Sequence, residues 1–112
     1  MKYALLIYLG TMREAMGQLS EEERTQVMSE YRALGQEPGI FFSEQLQPAD
    51  DAITVRVEDG RTLTTTGAFA NEDIGGLYLL EADEIDRAVE LAARFPAARL
   101  GGAVEVRPIV ER

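Results

Sequence analysis

The chain of 112 residues predicts an α+β fold, and three observations carry that prediction. Strand-length apolar runs at 3–9 and 77–80 place hydrophobic residues on both faces, so each strand must be covered on both sides. Two segments of helical periodicity, each behind a capping signal, separate such strands. Finally, Asp59-Gly60 lies between two alternating segments and marks a hairpin, because both central positions of a type I′ turn need positive φ. A chain of this length buries roughly two-thirds of its unfolded surface around one core, so one domain spanning 1–112 is expected.

In the first strand Tyr3, Leu5, Ile7 and Leu9 point one way, and Ala4, Leu6 and Tyr8 the other. Thr11 to Glu14 starts a short turn that ends at Gly17. Ser20 and Glu23 have the spacing of a capping box, in which hydroxyl and carboxylate satisfy orphan amides at a helix start. Val27, Tyr31 and Leu34, with Met28 beside them, share one face of that helix, and Gly35 stops it. Residues 40–46 read as a second strand with Ile40, Phe42, Glu44 and Leu46 on one face, ended by Pro48 to Asp51. In 52–58 the alternation puts Ile53, Val55 and Val57 inward and Thr54, Arg56 and Glu58 outward, and 61–66 is the return strand. After the strand that opens at Gly76, Asp83 is the expected N-cap of a second helix with Ile85, Ala88, Val89 and Ala92 as its buried stripe, and Pro96 ends it. A small-residue linker leads to a last strand over 103–110, with Val104, Val106 and Val110 on one face and Glu105, Arg107 and Ile109 on the other.

The order is β-α-β, a hairpin, then β-α-β: a ferredoxin-like βαββαβ arrangement with a β-hairpin inserted between its central strands. Two helices cover only one face of such a sheet. The other face would expose Leu, Ile and Phe side chains, a patch that usually marks an interface. A homodimer packed sheet against sheet, a dimeric α/β barrel, is therefore expected.

Composition removes several functions. With 11 Lys and Arg against 20 Asp and Glu, the net charge is −9, which disfavours nucleic acid and anionic membranes as partners. No apolar run approaches the ~20 residues that span a bilayer, and the first run is too short for a signal-peptide core, so a cytoplasmic protein is expected. Without cysteine or histidine there is no disulfide, thiolate nucleophile, Cys/His zinc site or Ser-His-Asp triad, and neither metal nor cofactor is expected. A general acid or base would have to be Asp, Glu, Tyr or the single lysine, Lys2.

The segments KYALLIY, TVR with its DG turn, TTGAFA, GGLYLLEADEIDRAVELAARFPAA and GAVEVRPI together resemble the YCII-related family, in its DGPF (DGPFAETKE) branch. The resemblance covers nearly the whole chain in order. It implies a dimeric α+β barrel; some relatives have been proposed as enzymes by likeness to muconolactone isomerase, and DGPF proteins are often encoded beside extracytoplasmic-function sigma factors. The D-G-P-F positions fall on Thr66, Gly67, Ala68 and Phe69, of which only the glycine and phenylalanine match. The His-Asp dyad proposed for the family has no histidine here.

The stretch 62–78 supplies the first candidate site residues: Gly67 for its backbone freedom, Phe69 as packing or a pocket wall, and Thr66 as a hydrogen-bonding group. If the valines of the last strand meet the helices, Glu105 and Arg107 look into the dimer barrel, paired with each other or bound to a ligand. Glu44, Tyr8 and Tyr78 are candidates for the same space on strand parity, although the tyrosines read equally as core aromatics. Three functions fit: a dimer whose barrel holds a small organic ligand, with Arg107 for an anionic group; a lyase- or isomerase-like enzyme with Glu44 or Glu105 as a base of raised pKa; and a structural or partner-binding homodimer.

Overall fold

The computed structural model describes residues 1–112, apart from the side chain of Asn71. Four strands, β1 (Lys2–Tyr8), β2 (Ile40–Gln45), β5 (Ile74–Glu81) and β6 (Ala103–Pro108), form one antiparallel sheet in the order β2-β5-β1-β6. This is the ferredoxin-like strand order. Between β2 and β5 the chain leaves the sheet as a separate hairpin, β3 (Ile53–Glu58) and β4 (Arg61–Thr66). Asp59 at φ 50° and Gly60 at φ 77° make its tip the expected turn with positive φ at both central positions.

The helices are α1 (Met12–Gly17), α2 (Glu21–Gly35), α3 (Ile85–Ala93) and α4 (Pro96–Arg99). At the start of α2 the Ser20 hydroxyl accepts from the Glu23 amide at 3.1 Å and the Glu23 carboxylate from the Ser20 amide at 2.9 Å, the reciprocal cap its sequence predicts. These helices cover one face of the sheet. Tyr3, Leu5 and Ile7 of β1 and Leu80 of β5 meet Val27, Leu34, Ala88, Leu91 and Phe95 there in one continuous core.

Register fixes the opposite face. Leu6 lies between Leu77 and Glu105, and Ala4 between Leu79 and Arg107, so these side chains share the uncovered side of the sheet. With one face open and the hairpin projecting, the molecule measures 48 × 41 × 17 Å, and its radius of gyration is 15.9 Å where about 13 Å is usual for this length.

Six expectations are corrected. A register shift between Ile40 and Phe42 sets two residues of β2 against one of β5, which turns Ile40 toward the core and leaves Phe41 and Phe42 exposed. Ile53, Val55 and Val57 do not face inward, since β3 has only β4 beside it, and all three are exposed. The second helix starts at Ile85 with Glu84, not Asp83, at its N-cap and no side-chain capping bond. Its buried stripe is Ala88, Leu91 and Ala92, continued by Phe95: the predicted spacing one turn later, because the bulk of Leu91 and Phe95 fills the core while Ile85 and Val89 stay exposed. The last strand stops at Pro108, and Val110 is exposed beyond it. Thr11 likewise makes no capping bond to α1; its hydroxyl donates to the Gly101 carbonyl at 3.4 Å.

Candidate functional site

Where β5 begins, Gly75 and Gly76 place no side chain between the sheet and the helices. A Cβ added at Gly75 would stand 2.6 Å from Leu9 Cδ2, and one at Gly76 would stand 3.2 Å from the Glu44 carbonyl oxygen. An added Cβ would displace the Leu9 side chain at Gly75 and crowd the Glu44 carbonyl at Gly76, so glycine at both positions keeps this end of the strand open. Above this pair lies a cavity of about 210 Å³, lined by Ile7, Leu9, Met12, Met16, Val27, Tyr31 and Tyr78, with Met28, Glu44 and Gln45 also at its wall. Met28, Glu44 and Gln45 are exposed and give the cavity its outer side.

Two tyrosines set its polarity. The Tyr78 hydroxyl donates to the Tyr31 carbonyl at 3.3 Å, and the Tyr31 hydroxyl reaches Met12 Sδ at 3.7 Å. Phe95 stands edge-on to both rings, 4.7 Å from Tyr78 and 6.1 Å from Tyr31 between centroids. Burial pushes the Tyr31 phenol up to about 12 and raises Tyr78 as well, so both stay neutral donors at ordinary pH. Glu44 reaches the wall with its backbone carbonyl, which faces Gly76, while its place opposite Leu77 puts its side chain on the uncovered face of the sheet. The cavity thus suits a small, largely apolar molecule with a polar group directed toward Gln45.

A second cluster lies on the open face. The Tyr8 hydroxyl donates to Glu105 Oε1 at 3.0 Å, and the Arg107 guanidinium donates to Glu105 Oε2. Arg107 first, and Tyr8 second, hold the Glu105 carboxyl below its ordinary value. A neutral-pH general base needs the opposite shift, so the raised pKa expected for a Glu105 base is corrected. The Tyr8 phenol is raised by the same hydrogen bond, and Glu105 in turn raises Arg107.

Of the candidates read from sequence, Tyr8, Glu105 and Arg107 come together. Tyr78 does not join them: it pairs with Leu5 on the helix side, because its parity along β5 is that of the buried Leu80. Glu44 lies opposite Leu77 on the sheet's edge strand, which puts its side chain on the uncovered face with the trio, but among the described residues no hydrogen bond or ion pair joins it to them. Gly67, at φ 106°, closes the base of the hairpin, its amide donating to Ala52 at 2.7 Å and its carbonyl accepting from the Thr54 hydroxyl at 2.8 Å. Thr66 is exposed opposite Ile53, and Phe69 is 70% exposed and does not line this cavity. Sequence reasoning missed Met12 and Met16, and read Met28 and Tyr31 only as a helix face. Met12 and Met16, four apart, and Met28 and Tyr31, three apart, have the spacing that puts both members of a pair on one helix face.

The strand order, the helices gathered on one face and the cavity between the two layers define an α+β protein of ferredoxin-like type. The chain belongs to the YCII-related domain family, whose model matches residues 1–112. Among solved structures it is similar to 5-chloro-2-hydroxyhydroquinone dehydrochlorinase from Burkholderia phenoliruptrix AC1100, in complex with 2,5-dihydroxybenzoquinone. The TM-score is 0.50 at 14% identity, over 100% of this chain and 96% of that one, a likeness of fold. No curated protein matches the chain. No helix among the described residues is long and apolar enough to cross a membrane.

Proposed function

We propose that this YCII-related protein is a homodimeric small-molecule-binding module that holds a one-ring organic compound in the cavity over Gly75 and Gly76. The observation that carries the reading is the cavity itself: about 210 Å³ of space walled by methionine, tyrosine and aliphatic side chains. An apolar cavity of ~150 Å³ is enough to take up benzene. The ligand complex of the similar dehydrochlorinase also contains a one-ring compound, 2,5-dihydroxybenzoquinone. Gly67 and Phe69, the two motif positions that match, support reading the chain as one of the DGPF branch.

The dimer packs through the open sheet face, where Leu6, Leu77, Leu79, Phe41 and Phe42 would be covered. Surface area supports this. The chain exposes 7759 Å², whereas a compact monomer of 12.4 kDa exposes about 6,100 Å². In that dimer Tyr8, Glu105 and Arg107 would face the barrel between the sheets, where they could meet a second polar group. An enzymatic reading would draw on Glu44, whose place opposite Leu77 puts its carboxylate on the uncovered face beside the proposed barrel rather than in this cavity.

A thermal-shift series with phenol, benzoate and 2,5-dihydroxybenzoquinone tests the assignment. A compound at 100 times its Kd should add about 2.7 kcal/mol to stability. Met28→Trp, which fills the outer part of the cavity, should abolish the shift, while Arg107→Ala should preserve it. No shift with any of the three compounds, or a shift lost in Arg107→Ala and kept in Met28→Trp, would move the ligand out of this cavity.

A further inference from the structure

Among the described residues, the β3–β4 hairpin pairs with no other strand of its own chain. It forms a sheet of two strands only, both of them edges, and such a unit is marginal in water unless something packs on it. Its pairing is regular: Ile53 opposite Thr66, Val55 opposite Thr64, and Val57 opposite Thr62 share one face. That face consists wholly of β-branched residues, and Ile53, Val55 and Val57 are 69%, 59% and 67% exposed. At the hairpin's base the other face is tied to its own loop through the Thr54 hydroxyl and the Gly67 carbonyl. The apolar face is left without a partner.

From these features, and resting on the homodimer proposed above, we infer that the hairpin is an exchanged arm that lays its Ile53, Val55 and Val57 face on a second copy of the chain. Area favours that occupant. The exposed surface exceeds that of a compact monomer by about 1,600 Å², roughly twice the ~800 Å² that each partner contributes to a standard interface, so the sheet face need not account for all of it. Charge favours it too. Arg56 and Arg61 cancel Glu58 and Asp59 within the hairpin, so a neutral arm meets a body of net charge −9 without the like-charge cost that an acidic arm would incur. The arm springs from the chain between β2 and β5, continuous with the strands whose open face forms the rest of the interface.

The absence of cysteine makes the test direct, since a single introduced thiol is the only one to label. Val57→Cys carrying bimane is followed by iodide quenching and by sedimentation equilibrium over the same dilution series. Unlabelled protein with Val55→Asp and Val57→Asp together is sedimented in parallel. The expected result is a dimer with a shielded label that becomes iodide-accessible as the dimer dissociates, and a dissociation constant raised about a hundredfold or more in the double variant. A dimer whose label is accessible at every concentration, or whose affinity survives the two aspartates, overturns the arm and leaves the sheet-face dimer standing. A label that stays shielded in the monomer also overturns it, by placing the arm on its own chain. A chain that is monomeric throughout overturns the arm and the homodimer together.

Discussion

Tyr8 and Glu105 are joined across neighbouring strands on the uncovered side of the sheet, with the phenol donating to Oε1 at 3.0 Å. In the β1–β6 register Glu105 lies opposite Leu6 and Tyr8 opposite Ala103, so the pair is a diagonal one, within reach only because tyrosine is long. Arg107 completes the arrangement from the same strand. One carboxylate therefore accepts from both a phenol and a guanidinium, which binds three side chains of an acidic protein into a unit of defined protonation.

Replacing Glu105 with glutamine should remove one titration at the acid end and shift another at the alkaline end. The folded carboxyl is held below its ordinary 4.5, so its stabilising contribution is complete above that value and is lost as pH falls through the folded pKa. Glu105→Gln should flatten the acid limb of a stability-pH profile measured by urea unfolding. The Tyr8 phenol is raised from 10.0, so its contribution is present below that pH and lost above it. In the variant, phenolate absorbance should show the Tyr8 ionisation shifted downward. All these groups are solvent-accessible, so both effects should shrink in high salt. An unchanged tyrosine titration would mean that the hydrogen bond is not populated.

Ser20→Ala removes the hydroxyl that accepts from the Glu23 amide at the start of α2, and should cost about 1 kcal/mol in a urea-denaturation midpoint. Ser20→Gly should cost only a few tenths, because glycine leaves the amide open to water. In the wild type the backbone and hydroxyl of Ser20 lower the Glu23 pKa, so the cap is complete above the ordinary carboxylate range and fades as pH falls below it. Equal losses in the two variants would show that the cap does not limit α2.

Phe95→Ala should be the most damaging single truncation on the helix side. Its ring is 1% exposed and edge-on to both tyrosines, so the deletion leaves a void beside the cavity that Tyr31 and Tyr78 already line. The expected loss is about 3–5 kcal/mol by denaturant unfolding, a large part of the ~5–15 kcal/mol total of an ordinary domain. Phe95→Leu keeps much of the volume and should lose less than half as much. A loss under about 1 kcal/mol for Phe95→Ala would mean that the neighbouring rings collapse into the space.

The sequence made the fold legible wherever one residue type admits a single local solution. Alternation in β1 and β5, the Ser20–Glu23 cap and the Asp59-Gly60 turn each lie where periodicity or spacing placed them. It misled where tertiary packing chose the phase. Nothing local to IFFSEQ announces the bulge at Phe41, because a register shift depends on the partner strand, and α3 rotates to bury Leu91 and Phe95 rather than Ile85. Parity brought Tyr8, Glu105 and Arg107 together correctly and misassigned Tyr78, since parity counted on one strand cannot be carried to another without the register between them. The cavity was the least visible feature. It arises from what Gly75 and Gly76 lack, and its walls bring the consecutive elements β1, α1 and α2 against β2 and β5 further along the chain.

Tyr31 offers a spectroscopic handle on that cavity. Burial raises its phenol to about 12, so ionisation is opposed by the folded environment while the unfolded chain ionises near 10. Below pH 10 the neutral group contributes fully to stability; as pH rises through about 12 the contribution is lost, and the charged ring must leave its place between Met12 and Phe95. Absorbance at the phenolate band should therefore show a late step near pH 12 that coincides with loss of helical circular dichroism. Tyr31→Phe should remove the late step and make the alkaline unfolding less steep. A cavity ligand should raise the midpoint of the late step in the wild type, because the ligand must be expelled before Tyr31 reaches water. Ionisation of Tyr31 near 10 with helix content intact would place the ring in solvent and remove it from the cavity wall.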